Sequence, residues 1–262
     1  MDDLPNALYE NYSRTLLELD EEKREYARRL FQCLTVSIRP LHLEELAEIL
    51  AIRLDKAELP TFINDVACRP ENAEEALISA CSSLIGIFNR EGSKVVKFWH
   101  FSVEQFLTSE RLATAEYRLS YYHILPEPAH TLLAHACLNV LLQLDGKIDR
   151  DSTIARYPLA PYAARYWVDH AQFGNTSFHL REVMERLFNP AKSHFATWVW
   201  LYNIDCQRID PVSKTYPARP EAEPIYYAAL SGFGGLVEHL IAAHYRMSIA
   251  GAVFIRLPYM PP

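Results

Sequence analysis

The stretch Lys97–Ser109, KFWHFSVEQFLTS, joins two different kinds of secondary structure. Its first half is rich in aromatic residues and predicts a strand, whereas its second half has the apolar spacing of an amphipathic helix. His100 lies at the joint. Ser102 is followed three residues later by Gln105, which is a capping-box pattern. We therefore expect Ser102 to be the N-cap of the helix.

The two aromatic neighbours of His100 give an expectation about its orientation. Side chains alternate along a strand, so Trp99 and Phe101 should share one face and His100 should point the other way. Two large apolar rings are expected to fill the core, which places His100 at the surface. A catalytic pair of His100 with Ser102 is disfavoured because no acidic partner is indicated in the sequence.

The segments before this joint have the order of a winged helix. Apolar spacing predicts three helices, and two β-rich runs around a polar turn with Gly92 predict a hairpin. The segments are 21–36, 42–52, a helix beginning near Asn72, and the paired runs Leu84–Phe88 and Lys94–Trp99. Arg39 and Pro40 end the first helix, because the residue before a proline disfavours helical backbone.

The segments after the joint are predicted to be helical up to a proline-rich linker. Helices are expected over 128–144, from about 158 to 173, and around 178–188 and 191–202. Aromatic residues at helical spacing in this region are more typical of a core than of a ligand site. They are Tyr162, Tyr166, Trp167, Trp198 and Trp200.

The final helical segment approximates the ankyrin pattern T-P-L-H-x-A. Pro224, Ile225, Tyr226 and Ala228 are in register with that pattern, and Gly232 lies at the expected turn. The segment is either a first repeat or a unit docked on the helices before it. We predict a mainly α protein with a small β-hairpin, divided into an N-terminal linker helix (1–20), a winged helix (21–109), a helical connector (115–202), a linker (203–221) and a partial ankyrin-like repeat with an irregular C-terminus (222–262).

Composition restricts the function classes. The formal net charge of −7 argues against a general nucleic-acid binder, because a phosphate backbone needs a basic partner face. The five cysteines are widely spaced and match no metal-binding or disulfide pattern, so we expect reduced thiols and no metal. No signal peptide or membrane-spanning run is visible, which predicts a cytoplasmic protein that does not bind membranes.

Three stretches together resemble the region after the nucleotidase core of fungal NACHT–ankyrin proteins, which are STAND-type signalling ATPases related to NOD-like receptors. The stretches are LPNALYENYSRTL, REYARRLFQCLTVSIRPLHLEELAEIL and CSSLIGIF…KVVKFWHFSVEQFL. The winged helix is similar to the GPI inositol-deacylase type, and the later helices are similar to the family's connector to its ankyrin array. The resemblance covers residues 4 to 244, with the motifs at Arg39–Pro40 and His100–Ser102 as its most specific parts.

The resemblance implies a regulatory and not a catalytic role. It implies a segment that couples a nucleotidase core to an ankyrin sensor, with both as partners in the same polypeptide. In NOD-like receptors a histidine at the place of His100 contacts the phosphate of ADP and holds the closed state. The phosphate-binding pattern G-x-x-x-x-G-K-[ST] occurs nowhere in this chain. We therefore expect no catalytic residue, no bound cofactor and no ATP or ADP affinity in this chain alone.

Three rival interpretations come from other classes. A free-standing protein-interaction adaptor is the main alternative. A DNA-binding winged helix is disfavoured because the predicted third helix carries Glu71, Glu74 and Glu75 and no Lys or Arg. Hydrolase chemistry is disfavoured because neither a G-x-S-x-G nor an HExxH motif is present.

Overall fold

The computed structural model describes residues 4–51, 74, 75, 77, 83–90, 92–144, 149–202, 204 and 222–253. The predicted start of the third helix near Asn72 lies outside the described residues, which show helical positions only at Glu74, Glu75 and Leu77 in that segment. The predicted linker 203–221 also lies outside them, apart from Ile204. The described residues form a mainly helical protein with a small antiparallel sheet, which confirms the predicted fold class.

The N-terminal helices pack around the hairpin and its following helix. They are α1 (Asn6–Leu17), α2 (Arg24–Val36, preceded by a 3-10 turn at Glu21–Lys23) and α3 (Leu43–Ala51). The helices predicted over 21–36 and 42–52 are therefore confirmed within 24–36 and 43–51. Tyr9 and Tyr12 of α1 contact the ring of Phe106 at centroid distances of 5.2 and 5.5 Å. The first helix is thus packed into the core and does not project as a free linker.

The sheet has three strands in the order β1-β3-β2, which are β1 (Leu41–His42), β2 (Ile85–Arg90) and β3 (Ser93–Phe98). The predicted hairpin is confirmed, and its turn contains Gly92 with φ of +86°, a backbone region open mainly to glycine. The two-residue strand β1 was not predicted. It pairs Leu41 with Val96, and a strand this short carries no detectable periodicity of its own.

Short helices connect the hairpin to a helical bundle built around one long helix. In chain order, the helices of this region are α4 (Phe101–Leu107), α5 (Glu110–Ala113), α6 (Tyr117–Ser120), α7 (Pro126–Gln143), α8 (Arg150–Arg156), α9 (Ala160–Ala171), α10 (Thr176–His179), α11 (Arg181–Leu187) and α12 (His194–Leu201). The connecting helices are α4 to α6, and the long helix is α7. The long helix α7 packs against α9 on one side and against α2 on another. It therefore joins the N-terminal helices to the helices that follow the hairpin.

The last helices, α13 (Pro224–Leu230) and α14 (Gly234–Val253), dock on the bundle. Phe233 stacks on Trp167 at 5.3 Å, and Tyr227 meets Trp198 at 6.2 Å. The Gln172 side chain donates a 2.8 Å hydrogen bond to the carbonyl of Ser231. The sequence left two alternatives for this segment, a first ankyrin repeat or a unit docked on the helices before it. These contacts agree with the docked unit.

One continuous hydrophobic core runs through most of these elements. It includes Leu16 of α1, Leu30 of α2, Val96 of β3, Leu138 of α7 and Leu236 of α14. The predicted aromatic core is confirmed, with Tyr162, Trp167 and Trp198 buried and Tyr166 and Trp200 half-buried against it.

Candidate functional site

His100 itself caps the helix at the strand–helix joint. Helix α4 begins at Phe101, and His100 has extended backbone angles (φ −146°, ψ 147°). Its Nδ1 atom accepts a 3.2 Å hydrogen bond from the backbone N–H of Ser102. A backbone N–H can only donate, so Nδ1 is unprotonated and the neutral ring carries its proton on Nε2. The exposed imidazole therefore has one N–H donor left for a contact from outside.

The prediction that Ser102 is the N-cap is wrong. Ser102 is the second residue of α4 and is only 3% exposed. Its hydroxyl lies 2.8 Å from His100 Nδ1 and 2.8 Å from the hydroxyl of Tyr12 on α1. Gln105 is exposed and forms no capping box with Ser102. Ser102 thus ties helix α1 to the joint, which is a tertiary role.

The prediction that Trp99 and Phe101 fill the core is also wrong. Trp99 is 56% exposed and Phe101 is 65% exposed. Strand β3 ends at Phe98 and the backbone bends at Trp99 and His100, so the alternation of a strand does not continue through the joint. Helix α4 then buries Ser102, Val103, Phe106 and Leu107, which leaves Phe101 on its outer side.

The closely placed His100 and Ser102 do not form a reactive pair. A nucleophile needs access to its substrate and a base that is free to take its proton. The Ser102 hydroxyl is buried, and His100 Nδ1 already accepts a backbone hydrogen bond. The geometry is that of a helix cap.

Arg39 links the α2–α3 loop to two parts of the fold. Its guanidinium makes a bidentate ion pair with Glu45, with distances of 2.8 and 2.5 Å. It also lies over the ring of Tyr162 at 4.9 Å, which brings it to helix α9. Glu45 is 4% exposed and accepts a 2.8 Å bond from the N–H of His42, just before α3. The Arg39–Pro40 motif is therefore a structural joint, and Pro40 contributes its carbonyl to Arg39 at 2.9 Å.

A second buried carboxylate connects α3 to the start of helix α9. Glu48 is 2% exposed, and its Oε2 accepts a 2.7 Å hydrogen bond from the backbone N–H of Leu159. Leu159 is the residue before α9, where backbone N–H groups lack partners within the helix and negative charge is favoured. The side chain of one element therefore caps the helix of the other.

A chain of buried hydrogen bonds extends this joint across α9 to α7. The N–H of Ile38 donates to the hydroxyl of Tyr162 at 3.2 Å, and that hydroxyl lies 2.9 Å from His170 Nε2. His170 Nδ1 lies 2.9 Å from His130 Nδ1. With Tyr162 donating to His170 and His170 donating to His130, each of these donors has an acceptor.

The charge state of this chain follows from burial. Burial, with His130 beside it, lowers the pKa of His170 to about 3, and burial also lowers the pKa of His130. Both rings are therefore neutral at neutral pH, which is the state that the proposed hydrogen-bond direction requires. Tyr162 and His170 are eight residues apart on α9, so helical spacing puts them on one face, whereas His130 gives no such signal because its contact comes from a different helix.

A groove of about 950 Å³ opens beside the exposed end of this chain. It is lined by Leu125, Pro126, Glu127, Pro128, Thr131, Leu132, His135, Phe173, His179 and Leu180. Phe173 also stacks on His130 with a 4.1 Å centroid distance, so one wall of the groove touches the buried chain. The groove offers apolar contacts and a 4.0 Å pair between Glu127 and His179, which suits binding better than reaction chemistry.

The two cysteines in the described part of the chain, Cys33 and Cys137, are both buried. Burial raises the pKa of Cys33 to about 12 and raises that of Cys137 well above its usual value, so both thiols are protonated and inert. Both cysteines are free. Within the described ranges, no group of three His, Cys, Asp or Glu side chains could hold a metal ion.

No helix within the described ranges is both long enough and apolar enough to cross a membrane.

The comparisons with known proteins relate the chain to part of a longer protein. No protein-family model matches it, and no solved structure matches it. Among curated proteins it is similar to the azaphilone pigments biosynthesis cluster protein L of Monascus ruber, with 30% identity over 249 residues. The similarity covers 92% of this chain and 51% of that protein, so the chain spans about half the length of the relative.

Proposed function

We propose that this chain is a non-catalytic, cytoplasmic regulatory segment of a STAND-type signalling NTPase, which couples a nucleotidase core to an ankyrin sensor. The observation that carries the proposal is the joint between the winged helix and the connector. Arg39 pairs with Glu45 and lies over Tyr162, while Glu48 caps α9. Buried polar contacts of this kind allow one arrangement of the two units, so a movement of one is passed to the other.

His100 is the residue proposed to meet the nucleotide. Its Nδ1 atom is used as the helix cap, and its exposed ring keeps the Nε2–H donor. An N–H donor of this kind suits a phosphate oxygen of ADP held by a nucleotidase core. The contact would exist only in a protein that contains such a core, because this chain has no phosphate-binding loop.

The relative from Monascus ruber is described as a protein of a pigment biosynthesis cluster, and that description names no reaction. A regulatory role for this chain in a biosynthetic setting is compatible with it. A free-standing interaction adaptor is the alternative, and it is favoured by the exposed Trp99 and Phe101 side chains, which are typical of a binding surface.

The test uses the longest open reading frame that contains this chain. The proposal requires a phosphate-binding loop upstream, and the purified product should retain ADP that can be measured by chromatography after denaturation. A reading frame without a nucleotidase core would contradict the proposal and leave the adaptor. The 262-residue chain alone should show no calorimetric binding of Mg-ATP or ADP.

Two substitutions separate the capping role of His100 from the ligand role. Asn is a good N-cap, so His100→Asn keeps the cap and removes the Nε2–H donor, whereas His100→Ala removes both. If His100 contacts ADP, both variants of the longer protein release ADP faster. If only His100→Ala does so, the effect comes from the helix cap and the ligand role is wrong. His123→Ala, at a half-buried histidine away from the joint, is the control.

A further inference from the structure

Exposed aromatic rings lie on the hairpin and at the joint that follows it, and we call them the aromatic wing surface. It consists of Phe88 on β2 and the consecutive Trp99, His100 and Phe101. The exposed fractions of Phe88, Trp99 and Phe101 are 38%, 56% and 65%. Single exposed apolar residues are common, but neighbouring large rings left open to solvent mark a binding surface.

The rings are held in place before any partner arrives. Phe88 and Trp99 pack edge to face with centroids 5.3 Å apart, and the rings of His100 and Phe101 are 4.3 Å apart. Gly86 makes the first contact possible. A Cβ atom at this position would lie 2.8 Å from Phe88 and 3.1 Å from Trp99. Glycine weakens a strand interior and often marks a close approach, and here it lets the two rings lie over the strand.

The charged residues that the structure describes on the two strands of the hairpin are all cationic. In the antiparallel register, Arg90 and Lys97 project from the same side of the sheet as Phe88, whose ring contacts Trp99. Lys94 belongs to the opposite side, where it pairs with Glu74. His100 adds its Nε2–H donor. The surface therefore offers apolar rings, two cations and one neutral donor.

We propose that the aromatic wing surface docks a protein segment that carries acidic residues beside large apolar side chains. Aromatic residues with a neighbouring Arg are the usual centre of such an interface, and rigid rings lose little conformational entropy on binding. Two cations on a chain with net charge −7 are too few to neutralise the several phosphates that nucleic-acid binding requires at physiological salt. The docking needs no nucleotidase core, so it stands apart from the role proposed for His100 and ADP.

The experiment measures binding of defined probes to the full 262-residue chain by fluorescence anisotropy at physiological salt. The probes are a labelled 12-residue peptide of alternating Glu and Leu or Phe, its counterpart with Lys for Glu, its counterpart with Ser for the apolar residues, and a 12-nucleotide oligo(dT). The acidic apolar peptide should bind, and the other three should not. The site is located by ¹⁹F NMR with 5-fluorotryptophan, in which the resonance assigned through Trp99→Phe should shift while those of Trp167, Trp198 and Trp200 should not.

Surface variants decide whether the aromatic wing surface is responsible. The double variant Trp99→Ala with Phe101→Ala should lower the affinity for the acidic apolar peptide by about tenfold or more, as expected for hot-spot residues. Arg90→Glu with Lys97→Glu should weaken it and favour the Lys peptide. Phe178→Ala, which removes a 74% exposed ring elsewhere, should change nothing.

The proposal is overturned by absence of binding of the acidic apolar peptide, or by unchanged binding in the Trp99→Ala/Phe101→Ala variant. Stronger binding of oligo(dT) that depends on Trp99 would assign the surface to single-stranded nucleic acid instead. An equal loss in Phe178→Ala would show nonspecific contact with exposed rings.

Discussion

At the scale of the residue, His100 shows how one side chain can meet two requirements. Serine, aspartate and asparagine are the usual caps, so the sequence pattern favours Ser102. In the fold, the Ser102 hydroxyl is buried beside Tyr12, and the imidazole Nδ1 accepts the backbone N–H in its place. The histidine can cap the helix and still present its second nitrogen to solvent, which a serine cannot do.

His100→Ala is predicted to destabilise the isolated chain by about 1 kcal/mol, the usual cost of a lost N-cap. His100→Asn should restore most of that stability because its short side chain can accept the same N–H. The measurement is urea unfolding followed by circular dichroism. Equal destabilisation by Ala and Asn would contradict a capping role.

The neutral His170 gives a prediction about pH. Its pKa is about 3 in the fold, against an ordinary value near 6.5 in the unfolded chain. Below a pH of about 6.5, the unfolded chain therefore binds a proton at this ring that the folded chain does not bind. The contribution of His170 to the free energy of unfolding is fully present above that pH and is lost as the pH falls toward 3. Between pH 7.5 and pH 5, this group lowers the free energy of unfolding by about 2 kcal/mol.

His170→Gln should remove that share of the pH dependence. Urea unfolding at pH 7.5, 6 and 5 should give a shallower fall in stability for the variant than for the original chain, whatever its stability at pH 7.5. A slope that does not change in His170→Gln would show that this ring is not the group that takes up the proton.

At the scale of the element, the contacts between helices decide where polar groups can be buried. Helix α3 buries Glu45 and Glu48 among apolar residues. A glutamate is almost never fully buried unless its carboxylate has a partner, so α3 alone could not bury these two side chains. Each carboxylate accepts a backbone N–H at a helix start, Glu45 from His42 and Glu48 from Leu159. The burial of these charges is therefore a property of the packed pair of helices and not of α3 alone.

Glu48→Ala is predicted to destabilise the chain by about 1–3 kcal/mol, because the N–H of Leu159 is then buried without its acceptor. Glu44→Ala, at an exposed position of the same helix, should change stability by about 0.5 kcal/mol or less. Chemical denaturation of both variants gives the comparison. A cost for Glu48→Ala no larger than that for Glu44→Ala would show that the cap across the joint contributes nothing.

At the scale of the whole molecule, the core crosses the boundary between the predicted winged helix and the connector. Helix α7 packs against α2, and both contribute to one hydrophobic cluster. Residues 115–125 join these two parts through the short helix α6, whose Tyr117–Ser120 turn precedes α7. The two predicted domains therefore share buried surface in this fold.

We predict that the 262-residue chain unfolds in one cooperative transition and that a fragment of residues 4–113 does not fold stably. The fragment would expose the side of α2 that α7 covers, together with the polar groups of the α2–α3 loop. Thermal unfolding by circular dichroism and dye binding to exposed apolar surface test both statements. A sharp transition in the fragment would mean that the winged helix is an independent domain.

The individual elements could be predicted from sequence because their signals are local. The apolar spacing of α2 and α7 predicted both helices, and the β-rich runs around Gly92 predicted the hairpin. These patterns follow from the 3.6-residue and two-residue periods of the backbone itself. The mainly helical fold class and the aromatic core around Trp167 follow from the same periods.

Which side chains face solvent at the joint was decided only by the tertiary structure. The bend after Phe98 breaks the strand alternation, so Trp99 and Phe101 are exposed and His100 becomes the cap. The chain from Tyr162 to His130 likewise depends on α7 and α9 lying side by side. The spacing of residues along the chain carries no information about a bend or about a hydrogen-bond partner forty residues away. Both arise only when distant helices pack together and their buried polar groups form hydrogen bonds with each other.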